Sequence, residues 1–304
     1  MKTLHAVVLC VGILCARAYG QPLLSTQPKP QPQPPQKTGP GSPSQPQAKP
    51  LDSLARAKAL FDMGNPKQAL AILDRTLDGD SKNIQARAMR AGIRESIGLG
   101  ELARQDYDVI LMGHPKDARA LHQRGWLQLT LGNPVASVAD FDRALELNPG
   151  QRPHHWQRGI ACYYAEKYEE GRKQFELHQT VNSQDVENAV WHFLCVSKLE
   201  GVEKARHLLI QITGDPRVPL KEVQALFAGK GTEEAVLNAA KSPGQTDAKA
   251  PLFYAHLYLA LYYEAIGKPD KSREHMLLAA TDFSLSGPMG DVARAHRLLR
   301  EKKR

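Results

Sequence analysis

The chain has 304 residues, a formal net charge of +8 and a sequence isoelectric point of about 9.3. Two of the positive charges lie in residues 1–20 and three in residues 21–50, and neither segment has an acidic residue, so residues 51–304 carry only +3. So small an excess is weak evidence for a nucleic-acid partner and leaves only a mild attraction to anionic membrane or cell-wall polymers. Residues 51–304 have room for one elongated repeat domain with a sizeable core.

Residues 1–20 have the pattern of a secretory signal peptide, with Lys2 as the charged start and an apolar run from Ala6 to Leu14. Cleavage is expected after one of two small residues at the end of this segment, Ala18 or Gly20. The apolar run is far shorter than the ~20 residues that span a bilayer. We therefore expect an exported protein, periplasmic or secreted, without a transmembrane helix.

A lipid anchor is not predicted either. Lipidation of an exported chain needs a cysteine that follows a small residue, whereas Cys10 and Cys15 both follow a leucine.

Residues 21–50 form a linker that contains ten prolines, many glutamines and three lysines, Lys29, Lys37 and Lys49. Because proline fixes φ and this composition buries little, we expect disorder with polyproline-II character. At ~3.1 Å per residue such a segment could reach roughly 90 Å. Two interpretations stay open: a spacer, or a strip that docks into an aromatic-lined groove or onto cell-wall polymer.

A constant interval of 34 residues separates four pairs of an arginine and a small residue. These pairs are Arg56-Ala57, Arg90-Ala91, Arg124-Gly125 and Arg158-Gly159. A period of that length is the sequence mark of a stacked helix–turn–helix repeat. It divides this part of the chain into four regular units, 51–83, 84–117, 118–151 and 152–185.

Each unit places small residues where two antiparallel helices must approach, glycine where the chain turns, and an aromatic residue or leucine where a gap must be filled. The third unit shows this with Gly125, Gly132, Ser137, Phe141 and Pro149. Proline stops the second helix, and no unit can bury its apolar face alone, so the stack is the folding unit. The pattern resembles the tetratricopeptide repeat (TPR) family.

The arginines of the second and third units have acidic residues at a matching distance. Asp106 lies sixteen residues after Arg90, and Asp140 lies sixteen residues after Arg124. The antiparallel second helix should bring each aspartate opposite its arginine, so the spacing predicts structural Arg–Asp pairs within a repeat. The alternative is a row of arginines that binds a ligand.

The regular period breaks after residue 185. Residues 186–249 are predicted to form a degenerate repeat and a helical insert, and residues 250–304 a final TPR repeat and a capping helix. This last basic amphipathic helix, at about 289–302, is expected to cover the exposed end of the stack. The predicted fold is therefore all-α: a right-handed TPR solenoid with these additions, preceded by a signal peptide and a disordered linker.

No residue constellation indicates catalysis, a cofactor or a metal. His192 and Cys195 share a helix face at i, i+3, but Cys195 should lie in the middle of its helix, where a reactive thiolate is not favoured. The adjacent His154 and His155 point in different directions and cannot form an i, i+4 metal pair. Cys195 and Cys162 are expected to be buried free thiols, with a disulfide between them as the alternative.

The candidate binding surface is the concave face, which the first helices of a TPR stack line. In units three and four this face carries aromatic side chains with a cation and a histidine, which suit an extended peptide or a partner helix. Equally, several of these residues could pack between neighbouring first helices. The seven candidate residues are Arg119, His122, Trp126, Trp156, Ile160, Tyr163 and Tyr164.

Over nearly all of residues 51–280 the chain resembles exported bacterial TPR proteins. More loosely, its four regular repeats, helical insert, final repeat and cap are similar to the NlpI-like lipoprotein adaptors. That resemblance implies a scaffold that brings envelope proteases and peptidoglycan hydrolases to their substrates. The absent lipid-acceptor cysteine and the Pro/Gln-rich linker depart from those adaptors. The family's carboxylate-clamp pattern is absent as well, which disfavours a chaperone co-receptor.

We expect a non-catalytic scaffold that binds another protein or a peptide outside the cytoplasm. A self-assembling structural protein of the envelope is the alternative, and it would make the chain a homo-oligomer. An enzyme centred on His192 and Cys195 is a third hypothesis.

Overall fold

A computed structural model describes residues 50–241 and 249–301, and every regular element in those two ranges is helical. The predicted all-α fold is confirmed. The predicted signal peptide and residues 21–49 of the predicted linker lie outside the described residues, whereas Pro50 already begins the first helix.

The first eight helices form four consecutive pairs, each joined by a tight turn. Their bounds are α1 (Pro50–Asp62), α2 (Pro66–Gly79), α3 (Ile84–Ser96), α4 (Gly100–Gly113), α5 (Ala118–Thr130), α6 (Pro134–Leu147), α7 (Trp156–Tyr164) and α8 (Tyr168–Gln179). A short 3-10 helix, Pro149–His154, precedes α7.

The turn inside each pair requires a left-handed backbone. In the first three pairs a glycine supplies it, with φ between +76° and +80°, at Gly64, Gly98 and Gly132. Glycine adopts this conformation without steric cost, which other residues do not. The fourth pair has Glu166 at the corresponding place, with φ of +61°, the one non-glycine residue with a positive φ in the described ranges.

Bidentate contacts join the two helices of the second and third repeats. Arg90 donates from Nε to Asp106 Oδ2 at 3.1 Å and from Nη2 to Asp106 Oδ1 at 2.5 Å. Arg124 holds Asp140 in the same way, at 2.8 and 2.6 Å. Paired guanidinium and carboxylate groups of this geometry fix orientation as well as adding energy, which supports a structural role for these arginines.

The same arginines also reach back to the preceding repeat. Arg90 Nη1 donates to Asp74 at 2.8 Å, and Arg124 Nη1 donates to Asp108 at 2.8 Å. Arg158 continues the series with a bond of 2.5 Å from Nε to Asp142. We call this chain of contacts the arginine ladder; its members are Asp74, Arg90, Asp106, Asp108, Arg124, Asp140, Asp142 and Arg158.

The ladder's spacing continues into the next helix with a different donor. His192 follows Arg158 by 34 residues, Glu176 follows Asp142 by 34, and His192 Nε2 lies 3.4 Å from Glu176 Oε1. The helix that carries His192 therefore stacks as the first helix of a fifth, degenerate repeat.

Seven further helices complete the described chain. They are α9 (Val186–Glu200), α10 (Val202–His207), α11 (Leu220–Phe227), α12 (Glu233–Ala240), α13 (Lys249–Ala265), α14 (Pro269–Ala280) and α15 (Pro288–Glu301). Helix α9 packs on α8, and α13 and α14 form an antiparallel pair.

The position of α15 adds to the predicted capping role. Besides α14, this helix packs against α5, far earlier in the chain, so it lies across the inner face of the stack as well as closing its end. Its buried side is apolar and includes Val292, Ala293, Ala295 and Leu299. A helix with an apolar side is stabilised most where that side contacts apolar groups from several other helices. The inner face provides such contacts, whereas a free end of the stack does not.

Candidate functional site

The structure places the seven predicted groove residues in two different environments. Trp126, Ile160, Tyr163 and Tyr164 are buried, with at most 7% of their surface exposed. They do not offer a free binding surface, so this part of the predicted groove is corrected. Arg119 is exposed, and His122 and Trp156 are half-buried.

The C-terminal helices are what cover these side chains. Trp126 Nε1 donates to Asp291 Oδ2 at 3.0 Å, and the Tyr164 hydroxyl lies 3.1 Å from His296 Nδ1, both on α15. Tyr163 donates to Glu264 of α13 at 2.6 Å. Each of these aromatic side chains thus has a buried apolar ring and a polar atom that forms a hydrogen bond.

Glu264 is the centre of the contacts that hold α15 in place. Arg300 donates two hydrogen bonds of 2.7 Å to its carboxylate, and His296 Nε2 lies 3.3 Å away. Burial would raise the pKa of Glu264, but the hydrogen bonds from Arg300 and the nearby positive charge lower it to about 2. The carboxylate is therefore charged and paired on the inner face.

A cavity of about 470 Å³ lies beside Trp156, and we call it the Trp156 cavity. This volume lies within the range of pockets that bind ligands. The walls come from the start of α7, from α8 and α9, from the start of α13 and from the segment that leads into α15. Its lining includes His154, Trp156, Ile160, Phe175, His178, Asn182, Asp185, Glu187, Asn188, Trp191, Arg217, Phe253, Tyr254, Leu285, Ser286, Pro288, Met289 and Gly290.

One rim of the Trp156 cavity is acidic. Arg217 donates at 2.6 Å to Asp185 and at 2.6 Å to Asp215, and it also binds Glu187. Burial raises the pKa of Glu187 to about 7, although Arg217 and the Tyr258 hydroxyl oppose the shift. Asp185 and Glu187 line the cavity, whereas the Asp215 side chain is buried and does not, so the rim has two carboxyl groups for one guanidinium.

Two buried polar atoms of the lining lack a hydrogen-bond partner within the described residues. They are the indole Nε1 of Trp191, a donor, and the side-chain Oδ1 of Asn188, an acceptor. Buried polar atoms are nearly always paired, so these two are exceptions, but both are shielded from solvent and neither opens onto the cavity.

The hypothesis of a Cys195–His192 dyad gains no support. Burial raises the pKa of the Cys195 thiol well above its usual range, and that of Cys162 to about 11, which disfavours the reactive thiolate. His192 directs Nε2 to Glu176, and both cysteines are buried and free.

His122, one of the predicted groove residues, contacts a second histidine. Its Nδ1 lies 3.0 Å from His155 Nε2, and His155 Nδ1 accepts the Arg158 backbone N–H at the start of α7. Burial, with His122 next in effect, lowers the pKa of His155 to about 3, so this pair is neutral. No group of three or more metal-ligating side chains occurs among residues 50–241 and 249–301.

Sequence reasoning missed the residues that α13 and α15 contribute. Asp291 lies 165 residues from Trp126, and Glu264 lies 101 residues from Tyr163. No period links such distant positions. The one available signal was the aromatic-rich stretch that became α13, which has no polar face and so had to be covered on all sides.

Within the helices that the structure describes, none combines the length and the apolar character needed to cross a membrane.

No protein-family model matches the sequence. Among solved structures, the chain is similar to a tetratricopeptide repeat protein from Parabacteroides merdae, with 17% identity over 83% of this chain and 86% of that one and a TM-score of 0.52. It is also similar to YrrB, described as a TPR protein with an unusual peptide-binding site, with 19% identity over 60% of this chain and 93% of that one and a TM-score of 0.51. With the paired helices and the 34-residue register, these likenesses show that the chain has the fold of a tetratricopeptide repeat protein.

Proposed function

We propose that the protein is a non-catalytic scaffold that binds a peptide segment of a partner protein in the Trp156 cavity. The observation that carries this proposal is the cavity itself, because the rest of the aromatic inner face is filled by α13 and α15. Work outside the cytoplasm is part of the proposal and rests on the signal-peptide pattern of residues 1–20.

The chemistry of the lining suits an extended peptide. Trp156 and Tyr254 are half-buried rings that can take apolar or ring-shaped side chains. The acidic rim favours a basic residue in the ligand. A helix is a poorer match, because its own backbone groups are already bonded to one another.

Affinity capture with mass spectrometry tests the proposal. The exported chain is used as bait in an envelope extract of the source organism, and Tyr254→Ala is compared with the wild type. Tyr262→Ala is the matched control, because Tyr262 is also half-buried on α13 but does not line the cavity. We expect a specific partner that Tyr254→Ala loses and Tyr262→Ala keeps; partners held equally by both variants would contradict the assignment of the cavity.

A further inference from the structure

We infer that the Trp156 cavity is the docking site for the chain's own proline- and lysine-rich segment, residues 21–49. This inference rests on the proposed peptide-binding role of the cavity and names its resident ligand. The segment would occupy the cavity of its own molecule until a partner displaces it.

The first argument is the match between an aromatic lining and a proline-rich ligand. Residues 21–49 contain nine prolines, some separated by a single residue, as in Pro28-Lys29-Pro30. Such sequences adopt the extended polyproline-II shape before binding, so they lose little entropy when they dock into grooves lined by aromatic rings. Trp156 and Tyr254 are rings of this kind, and both keep part of their surface exposed.

The second argument is charge. The segment has three lysines, Lys29, Lys37 and Lys49, and no acidic residue. The acidic lining residues Asp185 and Glu187 outnumber the one arginine, Arg217, whose charge is also offset by the buried side chain of Asp215. A lysine next to a proline that is docked in the cavity would therefore lie close to negatively charged carboxylates.

The third argument is the backbone of the ligand. A polyproline-II segment makes no internal hydrogen bonds, so its carbonyl groups are free to accept. Among the residues that line the cavity, Ser286 is exposed, and its hydroxyl can donate to such a carbonyl group.

The fourth argument is position. The first helices of successive repeats run parallel, so their starting ends lie along one edge of the stack. The segment enters α1 at Pro50, and the cavity lies at the starts of α7, α9 and α13 on that same edge. Three steps of ~10 Å between first helices give a distance of roughly 30 Å from Pro50 to Trp156. This is well within the roughly 90 Å that 29 residues can span.

Docking within one molecule has a functional consequence. A short flexible tether gives an effective concentration in the millimolar range, so even a weak ligand would keep the cavity filled. The half-buried rings would then be covered in the free protein. Only a partner that binds more tightly than the tethered segment would gain access.

Zero-length carbodiimide cross-linking of the exported full chain tests the inference, because it joins a lysine only to a carboxylate in contact with it. We expect intramolecular cross-links from Lys29 or Lys37 to Asp185 or Glu187. Their yield should fall at least threefold in Tyr254→Ala and stay unchanged in Tyr262→Ala. Mixing isotope-labelled and unlabelled protein separates links within a molecule from links between molecules.

A second variant leaves the helical stack untouched. Replacing Pro28, Pro30 and Pro32 by alanine keeps all three lysines but removes the preformed shape, so the same cross-links should fall by a similar factor. Cross-links to Asp185 and Glu187 that are equal in wild type, Tyr254→Ala and the proline variant would overturn the inference. So would links that form only between molecules.

The outcome separates this inference from the proposed function. If partner capture depends on Tyr254 but the cross-links do not, the scaffold role is kept and docking of the segment is rejected. If the cross-links depend on Tyr254 but no partner is captured, docking of the segment is kept and the scaffold role is rejected.

Discussion

Helices α1–α6 and α7–α15 are held together by different means. In the first region, small apolar clusters join neighbouring repeats, and the arginine ladder ties each repeat to the one before it. In the second, one continuous core extends to Leu299 and buries most of the aromatic residues, and it also takes in Trp126, Leu129, Val138 and Phe141 of α5 and α6. Contacts between neighbouring repeats thus form the stack. Contacts from distant segments of the chain determine which part of its inner face is covered.

The largest effect is expected from breaking the contacts that close the second region. Glu264→Ala would leave Arg300 and His296 facing a buried site without their acceptor, at a cost of about 4 kcal/mol in the free energy of unfolding. Urea denaturation measures this. Glu146→Ala removes an exposed pair with Arg143 and should change stability by less than about 0.5 kcal/mol. Equal losses in the two variants would contradict a central role for Glu264.

The next effect concerns the ladder of the first region. Asp106 is 2% exposed and receives Arg87, Arg90 and Arg94, so Asp106→Ala should cost about 3 kcal/mol. Asp74 contacts Arg90 from a half-exposed side chain, so Asp74→Ala should cost about 0.5 kcal/mol. Denaturant titration of both variants tests the ranking, and a greater loss in Asp74→Ala would refute it.

A pair of glycine substitutions compares a tightly packed helix position in the second region with an exposed helix position in the first. A Cβ atom at Gly159 would lie 2.6 Å from Phe175 Cζ, a clash that should cost Gly159→Ala about 2 kcal/mol. Gly92 is also helical, but a Cβ there meets no atom within 4 Å, so Gly92→Ala should stabilise the protein by up to about 1 kcal/mol. Thermal unfolding should shift in opposite directions; a shift of the same sign would show that packing is not the cause.

The smallest effect is a pH dependence at Glu95 of α3. Burial, followed by the negative charge of Asp291, raises the pKa of Glu95 to about 7. The folded state therefore holds this proton between the unfolded pKa of about 4.5 and pH 7, and the stability that the protonated group contributes is lost progressively as the pH rises across that range. Relative to wild type, Glu95→Gln should be more stable at pH 6 than at pH 5 by about 1 kcal/mol.

Urea denaturation at the two pH values measures that difference. Asp291→Asn is the control, because it removes the second cause of the shift and should weaken the pH dependence without abolishing it. A stability difference between Glu95→Gln and wild type that does not vary with pH would contradict a proton held by Glu95 in the folded state.

The sequence allowed the fold to be predicted because the 34-residue period encodes contacts between neighbours. The Arg90–Asp106 spacing was visible, and so, unnoticed, was the equally regular series Asp74, Asp108, Asp142 and Glu176. This series ends at Glu176, which contacts His192. His192 therefore occupies the place of a ladder arginine and does not form a dyad with Cys195. The covered part of the inner face could not be predicted in this way, since Asp291 and Glu264 reach it from segments with no fixed spacing.

The late position of α15 also sets an order of events during synthesis. Tyr164 leaves the ribosome well before residues 288–301, and at about 5–20 residues per second roughly 6–27 s pass before its cover is made. The four regular repeats can stack during that interval, while Trp126, Tyr163 and Tyr164 still present an uncovered aromatic surface. The nascent chain therefore has a defined period of exposure to chaperones and to aggregation, which ends when its final helix arrives.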